Sequence, residues 1–377
     1  MRPITIRFIN TDISDIYCYV GMLVFTTHIG EVYALSLSSV YSTLSVKYRE
    51  FRSFLKIALI NNEWISNDQY QALIQSQTKI TFEKEWNKAA RMLFEYKVDI
   101  ADCQALGRTS GFPVYDIKAY AHHIFIAHGK GLDDFHIDGD SKSGLKLQQR
   151  QKMFDLRVLS ISAKIGQVLV STGRNGLFSG SIWDERFKIN EREIEKESYR
   201  TLWSNWNFNN YTDATSFRHF INDTIDEPER KFFYSKQDEE RSKKRLTNIG
   251  KKIIESDQLI ENRDNSFIVN SNDLFFLFKN SGDIVSQRLK RDKSTSYMSS
   301  YSKVIYPGFR KKVLDVKTAK NCLAIETFDS LELLTNSEIV TLSECAPLNF
   351  RAYLSSIRLR NLVSATYPEY SELYLHA

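Results

Sequence analysis

The chain has 377 residues, with 51 Lys and Arg against 46 Asp and Glu, a formal net charge of +5. A hydrophobic share of 42% with 26% charged residues is that of a globular protein with a sizeable core, and it excludes a disordered chain. No apolar run reaches the roughly 18 residues that a membrane-spanning helix needs, and the whole-chain charge is too small to argue for nucleic acid by itself.

The opening residues, MRPITIRFINTD, alternate in hydrophobicity and are followed by acids at Asp12 and Asp15, unlike a signal peptide. Residues 3–9 read as one isolated strand. The four cysteines, Cys18, Cys103, Cys322 and Cys345, are widely spread with no C-x-x-C pair, which argues against a zinc site or a disulfide framework. Cys18 and Cys322 sit in strand-like runs and are expected to be buried thiols. The expected location is the cytoplasm, with no membrane contact.

Residues 16–37 show a unit that then recurs: IYCYV, MLVFTT, a turn at His28-Ile29-Gly30, and EVYALSL. Residues 42–48 read as a further strand that completes a four-stranded sheet. The rhythm breaks over 50–112, where Phe82, Trp86, Ala89, Leu93 and Tyr96 are spaced as one apolar stripe on a helix. A shorter helix around Tyr70, Leu73 and Ile74 precedes it, with Asn67 or Asp68 as its cap. This region is predicted to be a helical insertion.

The unit returns at 114–137 and 158–182. In the latter, Gly173-Arg174-Asn175-Gly176 lies between two strand-like runs, and Asn-Gly there is the strongest short-range hairpin signal. A charged and aromatic insertion is predicted over 183–263, with an exposed helix at 235–254 that pairs Glu239 with Lys243 and Glu240 with Lys244. Further copies follow at 266–289, 313–342 and 356–376; the last begins with the run IRLR.

Repetition of a four-stranded unit resembles the β-propeller superfamily, with a WD-repeat-like architecture. The Gly-His and Trp-Asp signatures of true WD repeats are missing from every copy, so no family residues carry over. The resemblance implies an all-β fold with helical insertions: one propeller domain over 1–377 of six blades, or seven if 183–263 holds a degenerate one. It also implies closure, in which strand 3–9 pairs beside 372–376 and removes an exposed edge.

Three candidate sites emerge. His122, His123, His128 and His136 lie close to Asp133, Asp134, Asp138 and Asp140, a composition that suits metal ligation. Their strand spacing divides them between two faces, and Lys142 stands where a calcium loop wants an oxygen, so a polar hairpin is the reading and no metal is assigned. Residues 288–312 hold eight basic residues, among them Arg288, Lys290, Arg291, Lys293, Arg310, Lys311 and Lys312, against the single acid Asp292. With Tyr297, Tyr301, Tyr306 and Phe309 interleaved, this loop could neutralise phosphates and stack bases. Trp203 and Trp206, beside Tyr199 and Phe208, suit a protein interface. Finally, no G-x-S-x-G elbow, His-partnered cysteine or phosphate-binding glycine loop is present, so no catalytic residue and no cofactor is assigned.

The leading expectation is a non-enzymatic binding scaffold or regulatory subunit that engages a protein partner through its insertions and loops. Nucleic-acid association through 288–312 is the alternative, and an enzyme with a composite site in the propeller channel is the second alternative.

Overall fold

The computed structural model describes residues 2–59 save 10, 11 and 20, then 79–138, 146–147, 151–181 save 165 and 166, 265–318 save 272, 273, 293 and 294, 322–353 save 336 and 337, and 361–376. Between 182 and 264 it describes only the strands named below. The chain is mostly β-strand with few helices, and its strands form several four-stranded antiparallel sheets, seven sheets in all among the described residues. It divides into two compact units, one of Met1–Arg108, Asp138–Lys146 and Arg310–Ala377, the other of Thr109–Ile137 and Leu147–Phe309.

The first unit holds three sheets. One runs Ile13–Tyr19, Met22–Thr27, Glu31–Ser36 and Gln104–Arg108. A second runs Val313–Thr318, Cys322–Thr327, Leu331–Thr335 and Glu338–Ser343. The third, the terminal sheet, joins distant parts of the chain in the order Asn349–Tyr353, Asn361–Thr366, Ser371–His376, Ile4–Ile9 and Leu93–Lys97. The expected pairing is present: Ile4 lies opposite Leu375 and Phe8 opposite Ser371, antiparallel. Ile4, Ile6 and Phe8 point into the core while Thr5 and Arg7 are half-buried, the period-2 pattern of a strand.

Three corrections to the sequence reading fall in this unit. Residues 37–47 form a helix, α1 (Leu37–Lys47), where a strand was expected at 42–48. The Ser36 hydroxyl accepts a hydrogen bond from the Ser38 N–H and caps it, and Leu37, Val40 and Leu44 make its buried stripe. The fourth strand of that sheet is Gln104–Arg108, far later in the chain. The stripe from Phe82 to Tyr96 is not one helix: after α2 (Arg52–Leu59), helix α3 (Lys79–Ala89) ends, and Leu93 and Tyr96 belong to a strand that pairs parallel with Ile4–Ile9. Phe94, Tyr96 and Val98 alternate inward, so the period changes from helical to extended just past Ala89. The strand paired with Asn361–Thr366 in the last copy is Asn349–Tyr353, earlier than the expected start at 356; the IRLR run itself lies outside the described residues. The helices expected near Tyr70 and over most of 235–254 also lie outside them, as does the side chain of Phe82.

The second unit holds four sheets. The histidine-bearing one comprises Val114–Tyr120, His123–His128 and Gly131–Asp138, with Gln151–Phe154 paired on the last. Next come Ser160–Lys164, Gln167–Ser171, Leu177–Ser181 and Asn190–Glu191, where Gly173 and Gly176 take the left-handed φ angles (+73° and +88°) that the turn requires. The 183–263 segment contributes Trp203–Trp206, Asn210–Ala214, Arg218–Thr224 and Ile253–Glu255, with Ile260–Glu261 also paired to the third of these. The last sheet is Asn265–Ser271, Leu274–Lys279, Ile284–Asp292 and Thr295–Tyr306.

Within the first unit, a buried ion pair ties the first sheet to the terminal sheet. The Arg351 Nε lies 2.9 and 3.0 Å from the two Asp15 carboxylate oxygens, and a second guanidinium nitrogen also donates to Asp15. Both residues are buried. Beside them the Tyr353 hydroxyl donates to the Ile16 carbonyl (2.9 Å) and bonds Ser364 (2.7 Å), and Tyr17 packs edge-on against Tyr353. Removing one member of such a pair strands a buried charge. Arg351→Ala is therefore expected to lower unfolding free energy by about 3–5 kcal/mol. The apolar double variant D15L/R351M should lose much less, and urea titration of both distinguishes them.

Candidate functional site

In four sheets an acid at the start of the third strand is the anchor of a polar cluster. In the histidine sheet, Asp133 accepts the Ser110 N–H (2.5 Å) and the Ser110 hydroxyl (2.7 Å) and lies 3.3 Å from His128 Nε2. The other ring nitrogen, His128 Nδ1, accepts the Lys130 N–H, so the proton sits on Nε2, facing Ser110 and Asp133. Burial alone would raise the Asp133 carboxyl; the hydrogen bonds from His128 and Ser110 outweigh it and hold the group below its usual range. Serine, histidine and aspartate thus meet, but not as a nucleophile, base and orienter in series. Serine and aspartate share one imidazole nitrogen, and His128 and Asp133 are fully buried. The cluster fastens the 109–113 loop.

The equivalents differ in residue type and in what they hold, two fastening loops and one, Glu372, pairing across neighbouring strands. Lys311 Nζ binds Glu332 (2.5 Å) and the Ser330 hydroxyl (2.7 Å), with Thr327 closing the network. Arg7 binds Glu372 (2.8 Å) and stacks over Tyr370. Asp283 accepts the Gly308 N–H (3.1 Å).

A second recurring acid was not singled out from the sequence. Asp15, Asp116 and Asp315 each follow a β-bulge in the first strand of a sheet. Each sits in the pattern apolar-x-Asp-Ile/Val, a signal visible in ISDI, VYDI and VLDV. The bulge turns the carboxylate off the ladder: Asp15 reaches Arg351, and Asp116 accepts the N–H of Ile161 in the next sheet (2.8 Å). Asp315 pairs with Lys317 (2.8 Å) and stands opposite Glu326. Burial first, then the Asp315 charge, pushes the Glu326 carboxyl up to about 7, with Lys317 acting in the opposite sense.

The predicted basic residues do not form one loop. Ile284–Asp292 and Thr295–Tyr306 are paired strands, so Arg288, Lys290 and Arg291 lie on a long hairpin. Lys293 lies outside the described residues, as do the Arg291 and Tyr297 side chains. Arg310, Lys311 and Lys312 belong to the other unit. Lys311 is committed to Glu332, which raises its pKa, and the Lys312 ammonium sits 5.3 Å from the Phe328 ring. Physically, alternating Ser, Thr and Tyr over 295–301 supply the β propensity that the charge count conceals.

Trp203 and Trp206 bound one strand, opposite Ala214 and Tyr211 in register; their side chains, Tyr199 and Phe208 lie outside the described residues. The histidines separate. His123 Nδ1 bonds Asp134 (2.7 Å) and its ring meets His136, whereas His128 joins Asp133. Among the described residues no three His, Cys, Asp or Glu side chains converge as a metal would require; Asp140 and Lys142 lie outside them. Ala121 and His122, at the tip of this hairpin, hold φ angles of +49° and +67° without being glycine. Cys18 and Cys322 are buried free thiols, each pushed up to about 12 by burial. A hollow of about 420 Å³ lies beside the first turn of α1, lined by Ser38, Ser39, Ser42 and Asp102. No helix among the described residues is long and apolar enough to cross a membrane.

No protein-family model and no curated protein matches the sequence. Solved structures do. A chain of the Mitotic Checkpoint Complex is similar over 97% of this chain and 92% of its own, at 9% identity and a TM-score of 0.50. The Pan2 WD40 domain of Neurospora crassa is similar at 8% identity over 97% of this chain and 89% of its own, TM-score 0.46. The computationally designed Ika8 protein is similar over the full length of both chains at 6% identity, TM-score 0.48. The fold is propeller-like.

Two tests address the strained and titrating groups. A carboxyl whose pKa is higher folded than unfolded contributes stability below its unfolded value near 4.3 and loses it as pH rises towards 7. Melting of the wild type should fall between pH 5 and pH 8 (roughly that window) relative to Glu326→Gln. The difference at the alkaline end should be about 1 kcal/mol once partial solvent screening is allowed for. Replacing Ala121 and His122 with Asn and Gly, which suit a two-residue turn with positive φ, should raise stability by about 1–2 kcal/mol in urea titration.

Proposed function

We propose that the chain is a non-enzymatic propeller whose seven sheets act as blades, and that it serves as a binding or regulatory subunit for another protein. One observation carries this reading. Ile29, Phe112, Phe328 and Leu348 are 53–67% exposed. Ile29 and Phe328 sit in turns between second and third strands; Phe112 and Leu348 immediately precede first strands. Each therefore lies at the end of its own sheet where the first strand begins. Two of the anchored acids hold such connections, Asp133 the loop that carries Phe112 and Glu332 the turn that carries Phe328, which gives these exposed side chains a rigid base.

Large exposed apolar groups on otherwise fastened connections mark contact surfaces for proteins. The carboxylates Asp15, Asp116 and Asp133, by contrast, are engaged in holding loops and sheets. The propeller-like neighbours agree in fold with this platform reading.

The test is site-specific photocrosslinking in the chain's own host, with a benzophenone side chain placed at Phe328, at Leu348 and, as control, at Val46 on α1. Phe328 and Leu348 should capture the same discrete protein, and Val46 should not. A pattern that does not differ from the control would overturn the reading.

A further inference from the structure

Among the described residues, the outermost strand of the last sheet, Thr295–Tyr306, is hydrogen-bonded to one strand only, Ile284–Asp292. It is the longest strand among the described residues, and its stretch 300–304 is exposed throughout. Gln287 stands opposite Ser302 and Leu289 opposite Met298, so Ser299, Ser300 and Tyr301 together face the single residue Arg288. The bulge is internally satisfied. Gln287 Nε2 donates to the Ser299 carbonyl (2.6 Å), and the Tyr301 N–H donates to the Ser299 hydroxyl (3.2 Å). It turns Tyr301 out to 73% exposure.

Past this bulge Ser302 stands opposite Gln287, Lys303 opposite Ser286 and Val304 opposite Val285, before a second register shift at Ile305 brings Tyr306 opposite Ile284. Alternate residues there turn N–H and C=O away from the sheet, a template for one more strand. Register puts Ser286, Arg288, Lys290 and Lys303 on one face, and Val304, 52% exposed, on the other. A lysine and a bulge are common protections of an edge against self-pairing. Here they coexist with an exposed tyrosine and an exposed valine, and the shared charge repels a second copy of the same edge.

We propose that this edge takes up an extended acidic segment of a partner protein as an added strand. Backbone pairing along 302–304 would supply affinity, Tyr301 and Val304 would grip side chains of the added strand, and Lys290 and Lys303 would select carboxylates. Single-stranded RNA would use the charge but not the open backbone edge or Val304, so the peptide is favoured. The inference rests on the platform reading and assigns it a place and a partner chemistry.

The experiment displays random twelve-residue peptides to the full-length protein and compares the selected sequences on variants. Enrichment of acids alternating with β-branched or aromatic residues is expected. Lys290→Glu with Lys303→Glu should weaken the selected peptides by about tenfold or more. Proline at Lys303 and, separately, at Val304 tests the backbone. One of the two N–H groups points outward, and its replacement should leave the circular dichroism spectrum native while abolishing peptide binding. Peptides that bind all native-like variants equally would place recognition elsewhere, sinking this inference while leaving the platform reading intact. An empty selection also overturns it, with the crosslinking result still deciding the platform. Binding of oligouridylate with steep salt dependence, and of no peptide, would replace it with the nucleic-acid reading.

Discussion

The constraint on which the first unit depends is that its terminal sheet cannot be made from one stretch of chain. Ile4–Ile9 lies between Ser371–His376 and Leu93–Lys97, antiparallel to one and parallel to the other. Without it, Ser371–His376 would present an open edge and Leu93–Lys97 would have no neighbour in the sheet. The core records this dependence. Ile4, Ile6 and Phe8 share one buried cluster with Trp86, Phe94, Leu373 and Leu375, drawn from the helical segment and from the far end of the sequence. Burial of each large side chain is worth about 1.5–3 kcal/mol, and here it is gained only when all three segments meet. Trp86 adds direction: its indole N–H donates to the Arg2 carbonyl (2.8 Å), which fixes where the strand begins.

Polar groups then set what apolar burial leaves open. Sheet faces rich in Val, Ile and Leu pack in many registers, but a buried charge pair accepts few. Asp15 and Arg351 meet across two sheets, and Asp116 meets the Ile161 N–H across two others. Three of the acids at the start of third strands act on loops in the same manner, whether the partner is a serine hydroxyl, a lysine or a backbone N–H. Such contacts contribute little net stability over an apolar substitute of similar shape, yet removing one member is costly. Their weight lies in geometry: they hold connections in place so that exposed side chains on them keep fixed positions.

How much of this was legible follows from the range of each signal. The three central strands of most copies, the Asn-Gly turn and the buried thiols rest on local alternation and turn chemistry, and all appear in the fold. The pairing of residues 3–9 was legible because an unpaired strand at one end and an incomplete sheet at the other need each other. What failed was partnership at a distance. The fourth strand, Gln104–Arg108, has one buried residue in five, Leu106, so nothing local identifies it. Tyr96 fits a helical stripe and an extended alternation alike, and only its pairing with Phe8 decides. The bulge acids were visible as apolar-x-Asp-apolar triplets, but their role requires the partner sheet.

The basic segment shows why charge counted along a chain is a poor guide to a surface. Eight cations in 25 residues read as one patch, yet Lys311 neutralises Glu332, Lys312 covers an aromatic ring, and the hairpin residues belong to a different unit from Arg310. Coulomb energy at a surface falls with separation and is screened within about 10 Å, so cations already paired at short range add little to a common field. Arg288, Lys290 and Lys303 do share a face because strand pairing, not sequence proximity, brings 288 and 303 to one side. The same pairing exposes backbone groups that no count of side chains reveals. An edge of this kind is recognised by shape and hydrogen bonding first and by charge second, which is why its occupant is inferred to be a strand.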